Sequence, residues 1–402
     1  MKYVLIPLLM LSAVAGAVPA LHVDDPDGAS AVVHGPVSAP FTLPDNMLDA
    51  AGLGQLRLKV FNIQNRQVAD IPVQFEPGPD SPNTGTFWWL LPSEHEGDKT
   101  AYRYYAANPT ANVIVAAAYL ENERAVVVTE GDAPVLRYNQ GATDAPDGID
   151  PIFERGDYIH PLWAPTGAVL TDDYPEDHPH HRGINWSWAT IQWRGETRDA
   201  FAVQGVKAEP AARPVMSNGP VFATVAARNA WVWDGGPSIV AESVRMRIYR
   251  QANAARYIDI EIELTPLVEG LEIGGRIPRG YSGFNLRMAP GAEQETRLRQ
   301  ELWVDGGYGW GDYAAVFKGC EEHAGLTVLE HAANPGYPNE WRQYPTLNFY
   351  QPAWPGGTMV ALEKDQLITL RHRLYLHEGR VTEAALKALR SSYDAPASAE
   401  AK

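Results

Sequence analysis

Apolar and polar residues alternate with a period of two along several stretches of the chain. The runs SVRMRIYR (243–250) and YIDIEIEL (257–264) place apolar side chains on one face and charged side chains on the other. This pattern is typical of strands that cover a core on one side, and we expect these two to be adjacent and antiparallel. The runs NVIVAAAYL (112–120), AVVVTEG (125–131) and PVLRYNQ (134–140) are separated by polar turns and predict a meander.

The rest of the chain completes an all-β prediction with one helix. Residues 21–115 combine short apolar alternations with proline-rich turns, which predicts a small N-terminal β-sandwich-like module. Residues 116–393 are expected to form a large antiparallel β-sandwich. The segment VTEAALKALRSSY (381–393) has helical spacing and Thr382 as an N-cap, so it predicts a single C-terminal helix. Residues 394–402 are predicted to be a disordered tail.

The N-terminus has the pattern of a targeting segment. Lys2 precedes the apolar run YVLIPLLMLSAVAGAV and then small residues, which predicts a signal peptide over residues 1–20. No later stretch reaches the roughly 18 uninterrupted apolar residues that a membrane span needs. We therefore expect a secreted or periplasmic protein without a membrane span.

Composition and charge restrict the classes of partner. The 402 residues include 35 glycines and 32 prolines, which favour many strands joined by turns. The single cysteine, Cys320, excludes an internal disulfide. The net charge of −16 argues against binding to nucleic acid or to anionic membranes, because the field of the protein would repel a polyanion. It leaves room for a local basic pocket that binds an acidic sugar.

The motif DHPHHRG (177–183) contains three of the 11 histidines. Pro175 and Pro179 favour extended backbone at the residues that precede them. In extended backbone, alternate residues share a face, so His178 and His180 are expected to point together while His181 points away.

Three interpretations of this motif remain open. His178 and His180, completed by Asp177 or a distant residue, are candidate ligands of a divalent metal such as zinc, copper or iron, although no second His-x-His or Cys pair supplies further ligands. The same imidazoles are candidate acids and bases, with Arg182 as a clamp for a carboxylate. In the structural alternative the imidazoles bond backbone carbonyls, and Arg182 pairs with Glu176 or Asp177.

Three stretches of the chain resemble one known family. YIHPLWAPTGAVLTDDYPEDHPHHRGINWSW (158–188), RGYSGFNLRM (279–288) and HAANPGYPNEWRQYPTLNFYQP (331–352) resemble the motifs of the PmoA-like family, secreted bacterial proteins labelled methane oxygenase. The resemblance covers roughly residues 115–380. It implies a β-sandwich scaffold that accompanies polysaccharide-degrading enzymes, with oligosaccharide lyase or dehydratase chemistry. Methane oxidation itself is not expected, because that reaction occurs in a membrane-embedded complex and this chain has no predicted span.

Elimination next to a uronic acid carboxylate needs a cation, a base for the α-proton and an acid for the leaving oxygen. The candidate catalytic residues are His160, His178, His180, His181, Arg182, Arg287 and His331. The candidate substrate-binding residues are Tyr158, Trp188, Tyr281, Asn285, Asn334, Trp341 and Arg342. Of these, Tyr158, His160 and Tyr281 are candidate acids, and Arg342 is a further candidate clamp. The tryptophans, with Trp186 and Trp310, offer sugar-stacking faces but are equally suited to a core.

The sequence therefore leaves three functional hypotheses. The first is a secreted carbohydrate-active enzyme that acts on acidic oligosaccharides or polysaccharides, by lyase or dehydratase elimination or by hydrolysis. It requires the histidine motif, GFNLRM (283–288) and NPGYPNEWR (334–342) to converge on one cleft, with His178, His180, Arg287 and His331 in one pocket. The second is a non-catalytic carbohydrate-binding protein, in which aromatic residues are exposed and the histidines are buried. The third is a metal-dependent oxidoreductase, which needs a metal with an open coordination position.

Overall fold

The computed structural model describes residues 21–25, 28–107, 114–298 and 309–401. Within these ranges antiparallel strands dominate, which confirms the all-β fold class. The predicted signal peptide, residues 1–20, lies outside the described residues. In the part of the chain that is described, no helix is long and apolar enough to cross a membrane.

The described strands are numbered here in chain order. The first part holds β1 (Leu21–Asp24), β2 (Pro36–Thr42), β3 (Leu56–Phe61), β4 (Gln67–Pro72), β5 (Gln74–Pro77), β6 (Thr84–Leu90), β7 (Ala101–Ala106), β8 (Val115–Leu120), β9 (Ala125–Glu130) and β10 (Ala133–Asn139). The middle part holds β11 (Tyr158–Leu162), β12 (Ile184–Trp188), β13 (Thr190–Trp193), β14 (Glu196–Arg198), β15 (Val206–Ser217), β16 (Phe222–Trp233), β17 (Ser238–Tyr249), β18 (Ala255–Pro266), β19 (Leu271–Gly274), β20 (Ser282–Arg287) and β21 (Gly291–Leu298). The last part holds β22 (Trp310–Phe317), β23 (Ala324–Glu330), β24 (Glu340–Tyr344), β25 (Phe349–Ala353), β26 (Met359–Leu362), β27 (Ile368–Glu378) and β28 (Ser398–Ala401).

Helical structure is confined to short segments and one C-terminal helix. The helices are α1 (Ala29–Val32), α2 (Leu48–Gly52) and α3 (Glu383–Asp394), and 3₁₀ turns lie at Asp45–Met47, Gly97–Lys99, Glu121–Glu123, Pro151–Phe153 and Pro345–Leu347. The predicted C-terminal helix is confirmed as α3. Its N-cap is Thr382, whose hydroxyl accepts a hydrogen bond from the backbone N–H of Ala385 at 3.2 Å.

An N-terminal sheet has the strand order β4-β3-β7-β1-β28-β2-β6-β5. Its core contains Phe87, Trp89 and Tyr102, all fully buried. The prediction of a disordered tail is wrong, because β28 pairs antiparallel with β1 and joins β2 in parallel. The alternating Ala397 and Ala399 are buried in the sheet core. The sequence signal was weak because the pairing partners of β28 lie at the other end of the chain.

Two further eight-stranded sheets pack face to face as a sandwich. One sheet has the order β24-β25-β20-β12-β11-β10-β9-β8. The other, which contains the long strands and which we call the large sheet, has the order β15-β16-β17-β18-β27-β23-β22-β21. Side chains of both sheets, such as Trp186 and Ile260, share one apolar core. The predicted meander is confirmed in β8 to β10, and the predicted antiparallel pair is confirmed in β17 and β18.

A four-stranded sheet, β14-β13-β19-β26, adjoins the sandwich. The run INWSWATIQW (184–193) has the apolar composition of one continuous strand, but it divides at Ala189 into β12 and β13. These two strands belong to different sheets, because β12 pairs with β20 whereas β13 pairs with β19. The chain therefore passes from one sheet to another directly after Trp188. The loop that follows β14 then lies beside the histidine motif.

Candidate functional site

The histidine motif folds as two consecutive turns. The backbone N–H of His178 bonds the carbonyl of Pro175 at 3.1 Å, and that of His181 bonds the carbonyl of His178 at 2.8 Å. The prediction of an extended segment is wrong, because these turns curl the chain. The three imidazoles consequently lie together, with ring centroids 5.7 Å apart for His178 and His180, 4.6 Å for His180 and His181, and 4.7 Å for His178 and His181. His181 does not point away from His178 as predicted; the two rings stack.

The imidazoles line a cleft of about 260 Å³, which we call the histidine cleft. Its walls come from the loop after β14, the segment before β20 and the turn between β24 and β25. The lining side chains are His178, His180, His181, Phe201, Ala202, Arg276, Arg279, Tyr281, Tyr344, Leu347 and Phe349. Tyr281, a candidate substrate-binding residue, is one of these lining side chains.

Aromatic rings form the inner wall of this cleft. His181 stacks on Phe349 with centroids 4.7 Å apart, and Phe201 lies 5.3 Å from both His180 and His181. Tyr281 contacts Phe201 at 5.3 Å and extends this wall toward Tyr344. Apolar rings beside polar groups suit a sugar, which presents C–H faces and hydroxyl edges.

Burial keeps two of the imidazoles neutral. Desolvation, together with the nearby His178 and Arg155, lowers the pKa of His180 to about 4. Desolvation and the neighbouring histidines lower the pKa of His181 to about 2. At neutral pH both rings are therefore uncharged, and each has one nitrogen that accepts a proton or a hydrogen bond.

Arg287 contacts two residues of the motif, Asp177 and His181. Its Nη2 donates to Asp177 Oδ1 at 2.9 Å, and its Nη1 lies 3.4 Å from Nδ1 of His181. The other Asp177 oxygen lies 3.4 Å from Nδ1 of His178. Although burial opposes the shift, the hydrogen bond from Arg287 lowers the pKa of Asp177. Arg287 is 6% exposed and occupied by these groups, so it orients the histidines rather than contacting a ligand in the cleft.

Two arginines of the cleft were absent from the sequence prediction. Arg276 is held by an ion pair with Asp199. Arg279 is exposed and lines the cleft, and among the described residues it has no hydrogen bond or ion pair. Both arginines lie in the turn RIPRG between β19 and β20, whose charge and proline kink were the available signal.

Arg182 belongs to a closed, buried network. It is 0% exposed, pairs with Asp173 and donates to the hydroxyls of Tyr158 at 2.5 Å and Thr143 at 2.6 Å. Its guanidinium also lies over the ring of Tyr174. Arg182 is therefore satisfied internally and does not line the histidine cleft, and its partner is Asp173 rather than Glu176 or Asp177. Its role as a carboxylate clamp stays a prediction.

Tyr158 and His160 share this interior. Burial raises the pKa of Tyr158, whose ring is 1% exposed. Nδ1 of His160 lies 3.0 Å from the hydroxyl of Thr171, and burial lowers the pKa of this histidine. The structure therefore places both residues in the strand β11 behind the motif, outside the lining of the histidine cleft.

The predicted sugar-stacking and amide residues of the sheets lie in the core. Asn285 is fully buried and donates to the carbonyl of Gly283 at 2.7 Å. The indole N–H of Trp188 donates to the carbonyl of Trp354 at 2.9 Å. Trp341 is 2% exposed and stacks on Tyr350. Trp186 and Trp310 are buried as well. These side chains pack in the core and do not line the histidine cleft, so contact of Trp188, Asn285 and Trp341 with substrate stays a prediction.

The stretch 331–352 contributes to the cleft only through its second half. Tyr344 and Phe349 line it, whereas His331 lines a different cavity. Asn334 exchanges hydrogen bonds of 2.8 and 2.7 Å with the backbone of Arg371, so its amide is occupied. Arg342 pairs with Glu340 at 2.6 Å on β24 and is not part of the lining. The predicted convergence is therefore wrong for His331, Asn334 and Arg342.

The metal hypothesis lacks a ligand set in this geometry. Across the ranges that the structure describes, no group of three or more His, Cys, Asp or Glu side chains is arranged to hold a metal ion. A tetrahedral zinc site needs three or four such ligands at about 2.0–2.3 Å. His178 and His180 as a metal pair stay a prediction.

Comparisons with known proteins give a family but no activity. The model of a family of unknown function, DUF6807, matches residues 125–390. No curated protein matches the chain. Among solved structures, a putative kojibiose phosphorylase from human microbiome is similar, with 8% identity and a TM-score of 0.24, over 67% of this chain and 31% of that one. The chain spans about a third of that phosphorylase, and a likeness this weak carries no argument. None of these findings bears on the PmoA-like resemblance, which stays a prediction.

Proposed function

The chain belongs to DUF6807, a family of unknown function, and we propose that its histidine cleft binds an acidic oligosaccharide and cleaves or dehydrates it by elimination. The observation that carries this proposal is the combination of uncharged imidazoles and the unpaired guanidinium of Arg279 in one aromatic cleft. Such a site joins a base to a carboxylate-binding cation, which are the two groups that abstraction of a proton next to a carboxylate needs first.

Arg279 binds the uronic acid carboxylate. A free guanidinium at the cleft wall offers a planar fork of N–H donors that matches a carboxylate. Arg276 adds positive charge nearby, but its ion pair with Asp199 fixes its position. The bound cation also stabilises the negative charge that develops on the carboxylate when the α-proton leaves.

His180 accepts the α-proton, and the hydroxyl of Tyr281 protonates the leaving oxygen. The electron pair of the broken C–H bond forms a C=C bond, and the bond to the β-oxygen breaks. An imidazole with a pKa of about 4 is a weak base in the empty cleft. A bound anionic sugar favours the protonated form, so substrate binding raises the pKa of His180 toward the working pH. Orientation of His178 by Asp177 keeps the cluster in place.

The test follows new C=C bonds by ultraviolet absorbance while the full chain is incubated with polygalacturonate, alginate and glucuronic acid oligosaccharides. We expect absorbance to rise with one of these substrates and to be lost in His180→Ala and Arg279→Gln. His331→Ala is the matched control, because that histidine lines another cavity. New reducing ends without new C=C bonds would show that the reaction is hydrolysis and not elimination.

Non-catalytic carbohydrate binding is the second candidate. It is favoured by the burial of His181, which is 5% exposed and stacked against Phe349 as an apolar wall would be. Saturable calorimetric binding of a uronic acid oligosaccharide, with no product after prolonged incubation, would establish this candidate and overturn catalysis. Absence of both binding and product for all three substrates would overturn the acidic carbohydrate as ligand.

The proposal includes export from the cytoplasm. It rests on the signal-peptide pattern of residues 1–20, with Lys2 before an apolar run. Expression in a bacterial host with N-terminal sequencing of the exported protein tests it. A mature N-terminus near residue 18 or 21 is expected, whereas retention of the intact chain in the cytoplasm would contradict export.

A further inference from the structure

A second cavity, of about 270 Å³, lies on the outer face of the large sheet beside α3. We call it the arginine cavity, after Arg245, Arg247, Arg371 and Arg373 in its lining. Tyr393 of α3 and Pro396 of the segment before β28 form its opposite side. It is separate from the histidine cleft, with which it shares no lining residue.

The strand register builds this cavity as two parallel rows of charge. Arg247, Asp259 and Arg373 lie opposite one another on β17, β18 and β27, so an acidic residue is flanked by two arginines. Arg245, Glu261 and Arg371 repeat the order two residues further along. Alternate residues of these strands, such as Met246 and Ile260, are buried in the sandwich core on the other face.

Three carboxylates form ion pairs with the four arginines. Asp259 accepts two hydrogen bonds from Arg373, at 2.6 and 2.8 Å. Glu261 accepts one from Arg371 at 2.7 Å. Arg245 and Arg247 instead reach across to Glu76 of the N-terminal sheet, at 3.2 and 2.7 Å. The cavity and its surroundings therefore have an excess of positive charge.

Two buried N–H groups at this cavity lack an acceptor. The side chain of Arg373 is 6% exposed, and among the described residues its Nη1 has no hydrogen-bond partner. The Nε of Arg247 is also without one in the described ranges. Because these N–H groups are closed off from solvent, an ion in the cavity interacts with their guanidinium charge through space, and the donors that it can contact directly are the more exposed Arg245 and Arg371.

We infer that the arginine cavity binds a small oxyanion, namely a sulfate, phosphate or carboxylate group. The anion would lie between Arg371 and Arg373 on one strand and Arg245 and Arg247 two strands away. The cavity volume is near the lower end of the ~300–1,000 Å³ typical of small-molecule sites, so it admits a free ion or one anionic sugar unit. This inference does not depend on the function proposed for the histidine cleft.

The experiment is calorimetric titration of the full chain with sodium sulfate, sodium phosphate and sodium glucuronate at constant ionic strength, with sodium chloride as reference. We expect one oxyanion to bind saturably with one site. Arg371→Gln should weaken this binding at least tenfold, because it removes a lining charge that is 37% exposed and not essential to the core. Saturation by sulfate or phosphate indicates a free ion, and saturation by glucuronate alone indicates a sugar carboxylate.

Two controls separate this site from others. Arg213→Gln removes an exposed arginine paired with Glu121, and Arg279→Gln removes the free arginine of the histidine cleft. Both should bind sulfate or phosphate like the unmodified chain. Binding of glucuronate is assigned to the arginine cavity only if Arg279→Gln retains it, because the histidine cleft is proposed to bind a uronic acid carboxylate. If Arg371→Gln does not fold by circular dichroism, Arg245→Gln, which is 53% exposed, takes its place. Absence of saturable binding for all three salts, or equal weakening by Arg213→Gln, would overturn the inference.

Discussion

The two ends of the motif DHPHHRG have opposite environments. At the first end His178 and His180 are partly exposed and face a cleft that contains a free arginine. At the other end Arg182 is fully buried, and its guanidinium is satisfied by Asp173, Tyr158 and Thr143. Residues of similar chemistry a few positions apart therefore differ in whether their hydrogen-bonding capacity is already used within the protein. That property separates groups available to a ligand from groups that hold the scaffold.

The buried end holds the exposed end in position through hydrogen bonds and ion pairs. Arg182 joins the segment that contains Thr143 to β11 and to the residues before the motif, through Tyr158 and Asp173. Arg287 makes a second connection, from β20 to Asp177. The turns that carry His178 and His180 are thus fixed at both sides, as a preorganised site requires.

The largest effect is expected when the buried end is broken. Arg182→Gln should lower the free energy of unfolding by about 3–5 kcal/mol, because it leaves the Asp173 carboxylate without its buried partner. Urea denaturation at neutral pH measures this loss. Arg213→Gln, which breaks an exposed ion pair, should cost less than about 1 kcal/mol. Equal costs for the two variants would mean that Arg182 is not a structural residue.

The exposed end should respond in the opposite way. Arg279→Gln and His180→Ala should reduce the rate of C=C formation at least about 10²-fold, which is the usual contribution of a positioned base or charge. The free energy of unfolding of Arg279→Gln, measured in urea, should stay within about 0.5 kcal/mol of that of the unmodified chain, since this side chain is exposed. A rate loss that only accompanies unfolding would contradict the assignment of this end as the site.

Lowering the pH should reduce the free energy of unfolding through histidines that are buried in their neutral form. Desolvation lowers the pKa of the core residue His372 from 6.5 to about 3. Because the unfolded chain then binds a proton below pH 6.5 that the folded chain does not, stability falls as the pH drops from 6.5 toward 3. Between pH 7.5 and pH 5, the free energy of unfolding of His372→Phe should fall by about 2 kcal/mol less than that of the unmodified chain. Parallel pH profiles of unfolding for both proteins would show that His372 does not contribute.

The smallest effect is expected at Asp177, the first residue of the motif, which contacts both His178 and Arg287. Asp177→Asn keeps the shape but weakens the contacts with Arg287 and His178, so the rate should fall about tenfold, or about 1.4 kcal/mol. The Michaelis constant should change less than the rate, because Asp177 orients His178 and does not line the cleft. A change confined to substrate affinity would place Asp177 in ligand binding instead.

Local patterns were sufficient for the elements with strong periodicity. The alternation in 243–250 and 257–264 predicted the antiparallel pair of β17 and β18, and Thr382 predicted the start of α3. The histidine motif was not among these elements, because its residues were predicted to be extended, whereas two turns stack His181 on His178. Local hydrogen bonds and side-chain alternation act within a few residues, so they leave a signal in the sequence itself.

The tertiary structure alone decided which candidate residues are available to a ligand. Arg182, Trp188 and Asn285 have the chemistry of site residues, yet contacts with distant strands bury them. Arg279 lies in the turn RIPRG, and it lines the cleft because β19 and β20 belong to different sheets. The sequence determined the all-β class, the C-terminal helix and the position of the histidine motif. Burial and partner satisfaction depend on residues far apart in the chain, and only the packed sheets bring these together.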